Sequence, residues 1–188
     1  MIKKNISVSV LCANYNNAPY LNDFFESLLS STVLPDEIIF IDDCSTDDSV
    51  AIIKYFESKF YNLKLFCLPK NVGFANALNF GLNKISSNFT VRIDPDDIFH
   101  PERIERQINF LKSNPKIDIL GSNITYFSRT ISESIGCSNF PRKHKQIRDR
   151  YEKGYHGLVH GSIMIKTNIL KDNRYNQEMV PAEEYDLF

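Results

Sequence analysis

Three acidic side chains fall within four positions, directly after an apolar run, in the segment VRIDPDDIFHPERI. They are Asp94, Asp96 and Asp97. Like charges this close repel one another, and a divalent cation relieves the repulsion. Carboxylate oxygens favour Mg²⁺ or Mn²⁺, which proteins usually bind through one or two carboxylates together with substrate phosphates. The cluster therefore predicts a metal–diphosphate site, and the alternative is that Asp96 or Asp97 only caps the helix predicted near Pro101.

A second polar cluster follows the apolar segment IIFI, where Asp42 and Asp43 open the sequence DDCSTDD. A carboxylate in this position could accept hydrogen bonds from a nucleobase imide or a ribose hydroxyl, or Asp43 could instead cap the following helix. Asn14, Tyr15 and Asn16 could face the same crevice, with the Tyr15 ring offered to a base. The same residues are also typical of an ordinary turn.

Two later features are weaker. Glu183, Glu184 and Asp186 form an acidic group near the end of the chain that could supply a general base, or that could be the charged first turn of a helix. The segment NVGFANALNFGL does not contain G-x-G-x-x-G, so no dinucleotide-binding fingerprint is indicated. Close packing alone would explain Gly73 and Gly81.

The elements that must position these residues alternate along the first half of the chain. Apolar, β-branched segments predict strands at 6–12, 36–43, 62–68 and 88–94. Helix-like segments follow each of them, and repeated strand–helix units imply right-handed crossovers and a mostly parallel sheet covered by helices. Ligands bind at the carboxyl ends of such strands. Polar clusters follow the first, second and fourth strands, so the sequence predicts one binding site at this edge.

The whole-chain composition limits the classes of function. The 188 residues are 43% hydrophobic and 24% charged, which is ordinary for a globular domain, and the net charge of −1 provides no field that would attract nucleic acid. No apolar run approaches the roughly 18 residues needed to span a bilayer, and the N-terminus does not read as a secretory signal. The four scattered cysteines suit reduced thiols. We therefore expect a cytoplasmic protein without a nucleic-acid partner or a transmembrane segment.

Taken in order, five segments resemble family 2 glycosyltransferases of the GT-A fold. They are SVLCANYN, IIFIDDCSTDDS, NVGFANALNFGL, RIDPDDIFHPERI and AEEYDLF. The resemblance depends on the whole ordered set, since each motif alone would be weak. It implies a Rossmann-like, three-layer α/β/α fold with a mostly parallel central sheet. It also implies one catalytic domain over 1–188, truncated at its C-terminal end, with a nucleotide-binding half at 1–100 and an acceptor and sugar half at 101–188.

The resemblance further implies how a nucleotide-sugar donor would be held. Tyr15 and Asp43 would contact the base, with Asp42 beside them. Asn71 and Gly73 would shape the loop beneath the donor. All five residues belong to the nucleotide-binding half.

The same resemblance assigns the reacting end of the site. Asp96 would bind the Mn²⁺ or Mg²⁺ that bridges the donor diphosphate, and Asp94 would contact the ribose or the water shell of the metal. Asp97 would be a helix cap or a sugar contact. Glu184 matches the family's catalytic base, although family members carry Asp there, and Leu78 stands where they often carry Arg.

The resemblance implies an inverting transfer of a hexosyl or N-acetylhexosaminyl group from a nucleoside-diphosphate sugar. The expected donor is a UDP-sugar, because that donor is common in the family. The acceptor would be a hydroxyl of a saccharide or lipid-linked saccharide, in bacterial surface polysaccharide synthesis at the inner face of the membrane. Regions beyond the chain could provide peripheral membrane association. The alternatives are a non-catalytic nucleotide-sugar-binding domain and a metal-dependent nucleotidyltransferase, for which ANYNNAPY supplies no triphosphate loop.

Overall fold

Strands and helices alternate through the first two thirds of the chain, as a computed structural model that describes residues 6–128 and 132–180 shows. The strands are β1 (Val8–Asn14), β2 (Glu37–Asp42), β3 (Leu63–Cys67), β4 (Phe89–Arg92), β5 (Ile119–Leu120), β6 (Thr125–Phe127), β7 (Ser134–Cys137) and β8 (Met164–Lys166). The helices are α1 (Ala18–Leu29), α2 (Ser49–Glu57), α3 (Phe74–Leu82), α4 (Arg103–Ser113), α5 (His144–Tyr151) and α6 (Thr167–Asn173). Among the described residues, no helix combines the length and apolar character needed to cross a membrane.

Six of the strands form the central sheet in the order β3-β2-β1-β4-β8-β5. β1 pairs in parallel with both β2 and β4, and β2 pairs in parallel with β3. β8 is antiparallel to its two neighbours, while β6 and β7 form a separate hairpin. The sheet is therefore mostly parallel, as predicted, with the carboxyl ends of β1, β2 and β4 at one edge.

β1 shows why these segments form a buried sheet. All seven of its residues are buried, and its side chains alternate between the two faces because successive residues of a strand point in opposite directions. Val8, Val10 and Cys12 join the core beneath α1, α2 and α4. Leu11 and Ala13 join the core formed with α3 and α6. Helices on both faces complete the three-layer α/β/α architecture.

A buried carboxylate fixes the opposite edge of the sheet. Glu37, the first residue of β2, is 4% exposed and accepts hydrogen bonds from Ser9 Oγ at 2.6 Å and from the backbone N–H of Ser86 at 2.7 Å. Lys64 Nζ lies 3.2 Å from its second oxygen. Burial by itself would raise the pKa of Glu37, but these hydrogen bonds outweigh it and lower the pKa to about 2. Glu37 is therefore an ionised structural group far from the polar strand ends.

Candidate functional site

A pocket of about 410 Å³ lies at the carboxyl ends of the central strands. It is called the smaller pocket here and is lined by Ala13, Asn14, Tyr15, Asn17, Asp43, Asn71, Gly73, Phe74, Ala77, Asp94, Pro95 and Asp96. The structure thus brings six predicted site residues together: Tyr15, Asp43, Asn71, Gly73, Asp94 and Asp96. Asp42 does not line the pocket, and Glu184 lies outside the described residues together with Glu183 and Asp186.

Asp42 holds the loop that carries Tyr15. Asp42 is 1% exposed, and both oxygens of its carboxylate accept hydrogen bonds. One oxygen accepts from Asn14 Nδ2 at 2.9 Å and from Ser45 Oγ at 2.6 Å. The other accepts from the N–H of Ser45 at 2.9 Å. Ser45 Oγ also accepts from the N–H of Asn16 at 3.0 Å. Asp42 therefore braces the pocket wall from behind, while the Tyr15 side chain, in a residue 47% exposed, stays open to a ligand.

Asp43 lines the pocket and ties β2 to the loop before α3. Its two carboxylate oxygens accept from the N–H of Val72 at 2.8 Å and of Gly73 at 2.9 Å. The alternative that Asp43 caps the following helix is wrong, because it is Asp47 that accepts from the N–H of Ser49, the first residue of α2, at 3.0 Å. The carboxylate of Asp43 instead binds the backbone of Val72 and Gly73, which are distant in the sequence, and it forms part of the wall of the smaller pocket.

The loop beneath the pocket requires glycine at position 73. Gly73 has φ +88°, which disfavours residues with a Cβ, and a Cβ there would lie 2.8 Å from the Gln177 side chain. Asn71 Oδ1 accepts from the Gly73 N–H at 3.2 Å, and Gln177 Oε1 accepts from the Asn76 N–H at 3.2 Å. The segment around Gln177 therefore crosses the start of α3 next to the pocket.

The three acidic side chains after β4 form a cluster at the pocket mouth. Asp94 Oδ2 and Asp97 Oδ2 lie 3.1 Å and 3.0 Å from the position that a Cβ on Gly161 would occupy, so the two carboxylates converge above this glycine. Loss of hydration, followed by the negative charges of Asp94 and Asp96, raises the pKa of Asp97 to about 6. The positive charges of Arg92 and Arg103 act in the opposite direction and do not cancel this rise of the Asp97 pKa.

The helix-capping alternative for Asp96 and Asp97 is wrong. α4 begins only at Arg103, and the side chain of its preceding residue, Glu102, forms no capping hydrogen bond. The side chain that accepts a hydrogen bond at this helix start is that of His100, from the N–H of Glu102 at 3.2 Å. The Asp97 N–H instead donates to the Asp94 carbonyl at 3.2 Å, which closes a turn and holds the acidic side chains together. Asp97 thus belongs to the acidic cluster and not to the helix start.

The acidic cluster fits a divalent ion shared with a phosphate. Within residues 6–128 and 132–180, no group of three His, Cys, Asp or Glu side chains is arranged to hold a metal by itself. Mg²⁺ and Mn²⁺ are usually held by one or two carboxylates, with substrate phosphates and water completing the shell. The acidic cluster supplies carboxylate oxygens of this kind, since Asp94 and Asp96 line the smaller pocket and Asp97 converges with Asp94 above Gly161.

A larger pocket of about 770 Å³ adjoins the cluster on its other side. Asp96 lines both pockets, whereas Asp97 and Gly161 line only the larger one. The hairpin of β6 and β7 and residues of α4 form much of the remaining wall. The acidic cluster therefore stands between two cavities.

Sequence reasoning missed Arg92, the last residue of β4. Arg92 is fully buried. Its Nη2 donates a hydrogen bond to Asp94 Oδ1, and its Nη1 donates one to the Ile93 carbonyl. Its guanidinium lies 4.8 Å from the centre of the Phe74 ring. The signal was available, because residues two apart in an extended strand point to the same side and Arg92 precedes Asp94 by two.

The profile of the family described as "Glycosyl transferase family 2" matches residues 9–174. An uncharacterized glycosyltransferase of Haemophilus influenzae is 35% identical over 142 residues, which is 74% of this chain and 53% of that protein. The Escherichia coli UDP-Gal:alpha-D-GlcNAc-diphosphoundecaprenol beta-1,3-galactosyltransferase is 30% identical over 183 residues, which is 96% of this chain and 66% of that protein. The chain thus spans between about half and two thirds of the length of these two curated relatives.

Solved structures show the same fold. Staphylococcus aureus TarS in complex with UDP-GlcNAc superposes with a TM-score of 0.76 at 22% identity, over 96% of this chain and 52% of that one. The mannosyltransferase PcManGT of Pyrobaculum calidifontis, in complex with GDP-Man and Mn²⁺, superposes with a TM-score of 0.69 at 16% identity, over 97% and 51%. At these identities the likeness concerns the fold, and it confirms the predicted GT-A architecture.

Proposed function

The chain belongs to glycosyl transferase family 2, and from this premise we propose that the protein transfers a sugar from a nucleoside-diphosphate sugar to a hydroxyl acceptor with inversion at the anomeric carbon. One observation carries the proposal. The smaller pocket gathers Tyr15, Asp43, Asn71 and Asp94 around one cavity whose mouth is the acidic cluster. Its volume of about 410 Å³ lies within the range of small-molecule sites, roughly 300–1,000 Å³.

The donor half of the proposal concerns a nucleotide, with UDP preferred. A base would stack on the exposed ring of Tyr15 and hydrogen-bond to Asp43, whose oxygens each keep a second lone pair beyond the backbone N–H they accept from. Every residue that lines the smaller pocket falls within 1–100, which supports assigning the nucleotide to that half. The preference for UDP rests on the E. coli relative, named for UDP-Gal, and on the TarS complex with UDP-GlcNAc.

The diphosphate would lie at the acidic cluster, with Asp96 as the main ligand of Mn²⁺ or Mg²⁺ and Asp94 in support. When bound, such an ion supplies positive charge that stabilises the departing nucleoside diphosphate. The PcManGT complex contains Mn²⁺, which favours the same type of ion here. Asp97 belongs to the same cluster and would face the sugar from the larger pocket.

The acceptor would enter the larger pocket, because that cavity shares Asp96 with the pocket that would hold the nucleotide. Its hydroxyl would lose a proton to the Glu184 carboxylate. The acceptor oxygen would then form a bond to the anomeric carbon while the bond from that carbon to the diphosphate oxygen breaks. Gln177 packs beside Gly73 at the donor pocket, and Glu184 follows Gln177 closely in the sequence, which supports a base near that pocket.

The proposed acceptor is a saccharide or lipid-linked saccharide in bacterial surface polysaccharide synthesis, with the protein at the cytoplasmic face of the membrane. The name of the E. coli relative contains a diphosphoundecaprenol-linked sugar. A further relative, the amylovoran biosynthesis glycosyltransferase AmsE of Erwinia amylovora, is 34% identical over 121 residues, 63% of this chain and 46% of that protein. The E. coli relative supports a lipid-linked saccharide as the acceptor, and AmsE supports polysaccharide synthesis as the process.

The test of the donor is a thermal-shift panel on the full-length protein with UDP-, GDP- and dTDP-sugars, each with and without Mn²⁺. A ligand at 100 times its Kd stabilises the folded state by about 2.7 kcal/mol. We expect UDP-sugars to raise the Tm in the presence of Mn²⁺, and an Asp172→Ala variant, changed at an exposed acid of α6, to respond like the native protein. A panel in which no nucleotide sugar raises the Tm would overturn the proposal.

A non-catalytic nucleotide-sugar-binding protein is the second candidate, favoured by Glu184 in the place where family members carry Asp. A transfer assay with the full-length protein separates the two. Sugar transfer with inverted configuration, read by NMR of the product, supports the enzyme. Donor binding without transfer or donor hydrolysis supports the second candidate.

A further inference from the structure

We propose that Arg92 is a positioning residue of the donor site, which fixes the carboxylate of Asp94 from inside the protein without touching the ligand. This inference rests on the proposed function, since it concerns the metal–diphosphate end of the same pocket. It assigns to Arg92 a role in orienting one carboxylate of the acidic cluster.

The burial of Arg92 requires an explanation. Its side chain is the largest of those that are fully buried, and removing a guanidinium from water costs several kcal/mol unless it is well paired. It is paired through Nη1 with the Ile93 carbonyl and through Nη2 with Asp94 Oδ1, while Nε has no hydrogen-bond partner among the described residues. A buried aliphatic residue would fill the strand end at lower cost, so the charge itself is the feature to explain.

The pair is asymmetric in a way that suits a site. The Arg92 side chain is 0% exposed, whereas that of Asp94 is 35% exposed and lines the smaller pocket. The cation is thus held inside and the anion is presented at the surface.

The geometry of Asp94 follows from this pairing. Oδ1 is bound to Arg92, so Oδ2 is directed to Gly161, where it converges with Asp97 Oδ2. One oxygen of Asp94 is therefore anchored and the other is offered to the cluster. Without Arg92 the carboxylate would be free to rotate away from the mouth of the pocket, because no other described side chain bonds its oxygens.

Phe74 separates Arg92 from the ligand. Its ring lies over the guanidinium at 4.8 Å and itself lines the smaller pocket, while Arg92 does not. Arg92 therefore acts on a bound metal ion and diphosphate through Asp94, and not by direct contact. A nearby histidine, His160, supplies no second cation, because burial and the charge of Arg92 lower its pKa well below the usual value.

The test compares UDP binding with and without Mn²⁺ by titration calorimetry for the native protein and for Arg92→Met. Methionine fills a similar volume in the core. Removing one member of an ion pair is most damaging when the other stays buried, and the Asp94 side chain is 35% exposed and can be hydrated instead. Residues that orient metal ligands typically contribute 10–100-fold to affinity, so we expect the Mn²⁺-dependent gain in UDP affinity to fall by about tenfold or more. UDP binding without Mn²⁺ should not change, which a merely structural role would not predict.

A double-mutant cycle with Asp94→Asn tests whether Arg92 acts through Asp94. When Asp94→Asn is already present, the change Arg92→Met should have little further effect on the Mn²⁺-dependent gain. An effect as large as in the native background would contradict the inference. Arg148→Met, which removes an exposed arginine 3.3 Å from Glu152, is the matched control and should bind like the native protein.

Failure of this inference differs from failure of the proposed function. A native protein that binds no UDP in the presence of Mn²⁺ overturns both. Native binding together with an unchanged Mn²⁺-dependent gain in Arg92→Met overturns the inference alone. If Arg92→Met does not fold, Arg92→Lys decides, because it keeps the charge but replaces the planar guanidinium, whose two nitrogens donate to Ile93 and Asp94, with a single nitrogen on a flexible stem; a native-like gain in that variant overturns the inference that the guanidinium fixes Asp94.

Discussion

The substitution Glu37→Gln tests the account of the sheet edge, because the contribution of this carboxylate can be calculated from its environment. Its pKa of about 2 compares with an ordinary value of 4.5. At about 1.4 kcal/mol per pKa unit, this difference corresponds to roughly 3 kcal/mol of stability. The folded-state pKa is lowered, so the stabilisation is complete above about pH 4.5 and is lost as the pH falls towards about pH 2.

The assay is urea unfolding of the native protein and Glu37→Gln at several pH values. We expect the variant to be less stable by roughly 3 kcal/mol near pH 7 and by less than half of that near pH 3, where the carboxyl group is already mostly protonated in the unfolded chain. Glu102→Gln removes a carboxylate from a surface pair with Arg106 and should change the free energy of unfolding by less than about 1 kcal/mol. An equal difference at both pH values, or one below about 1 kcal/mol near pH 7, would refute the reasoning.

Three further predictions concern the site. Gly161→Ala places a Cβ about 3 Å from the carboxylates of Asp94 and Asp97, so the Mn²⁺-dependent affinity for UDP should fall in calorimetry; an unchanged affinity would contradict the convergence of these groups. The pKa of Asp97 in the folded protein is raised to about 6, so Asp97 ionises less readily in the folded protein than in the unfolded chain. The urea midpoint of the native protein should therefore fall relative to that of Asp97→Asn as the pH rises from about 4 to about 6. A pH-independent difference would count against that shift. Glu184→Gln should leave donor binding intact and abolish transfer by the full-length protein, whereas retained turnover would place the base elsewhere.

The parallel part of the sheet could be predicted from the sequence because its strands are buried on both faces. Such strands read as continuous apolar runs, and β1 and β2 are buried throughout. β8 could not be predicted as an antiparallel neighbour of β4, since Met164–Lys166 is only three residues long and its place depends on pairing with Phe89–Val91. The boundaries also shifted, because the register that pairs Asn14 with Asp42 extends β1 two residues beyond the predicted end.

The site was predicted best where a strand end fixes a residue and worst where a distant contact decides its role. Asp43 and Asp94 follow from the topology of the sheet. The choice between a cap and a pocket wall for Asp43 depends on Val72 and Gly73, and the role of Asp97 depends on Gly161. Neither contact has a local signal in the sequence.

Asp96 is the residue through which we propose that the acidic cluster holds a divalent ion and the diphosphate of a nucleotide. Titration calorimetry of UDP with and without Mn²⁺, on the native protein and on Asp96→Ala, tests this proposal. We expect the native protein to bind UDP more tightly with Mn²⁺, and the variant to lose this gain while unfolding at the native urea midpoint. UDP affinity that is the same with and without Mn²⁺ in the native protein, or a full gain in Asp96→Ala, would contradict the claim.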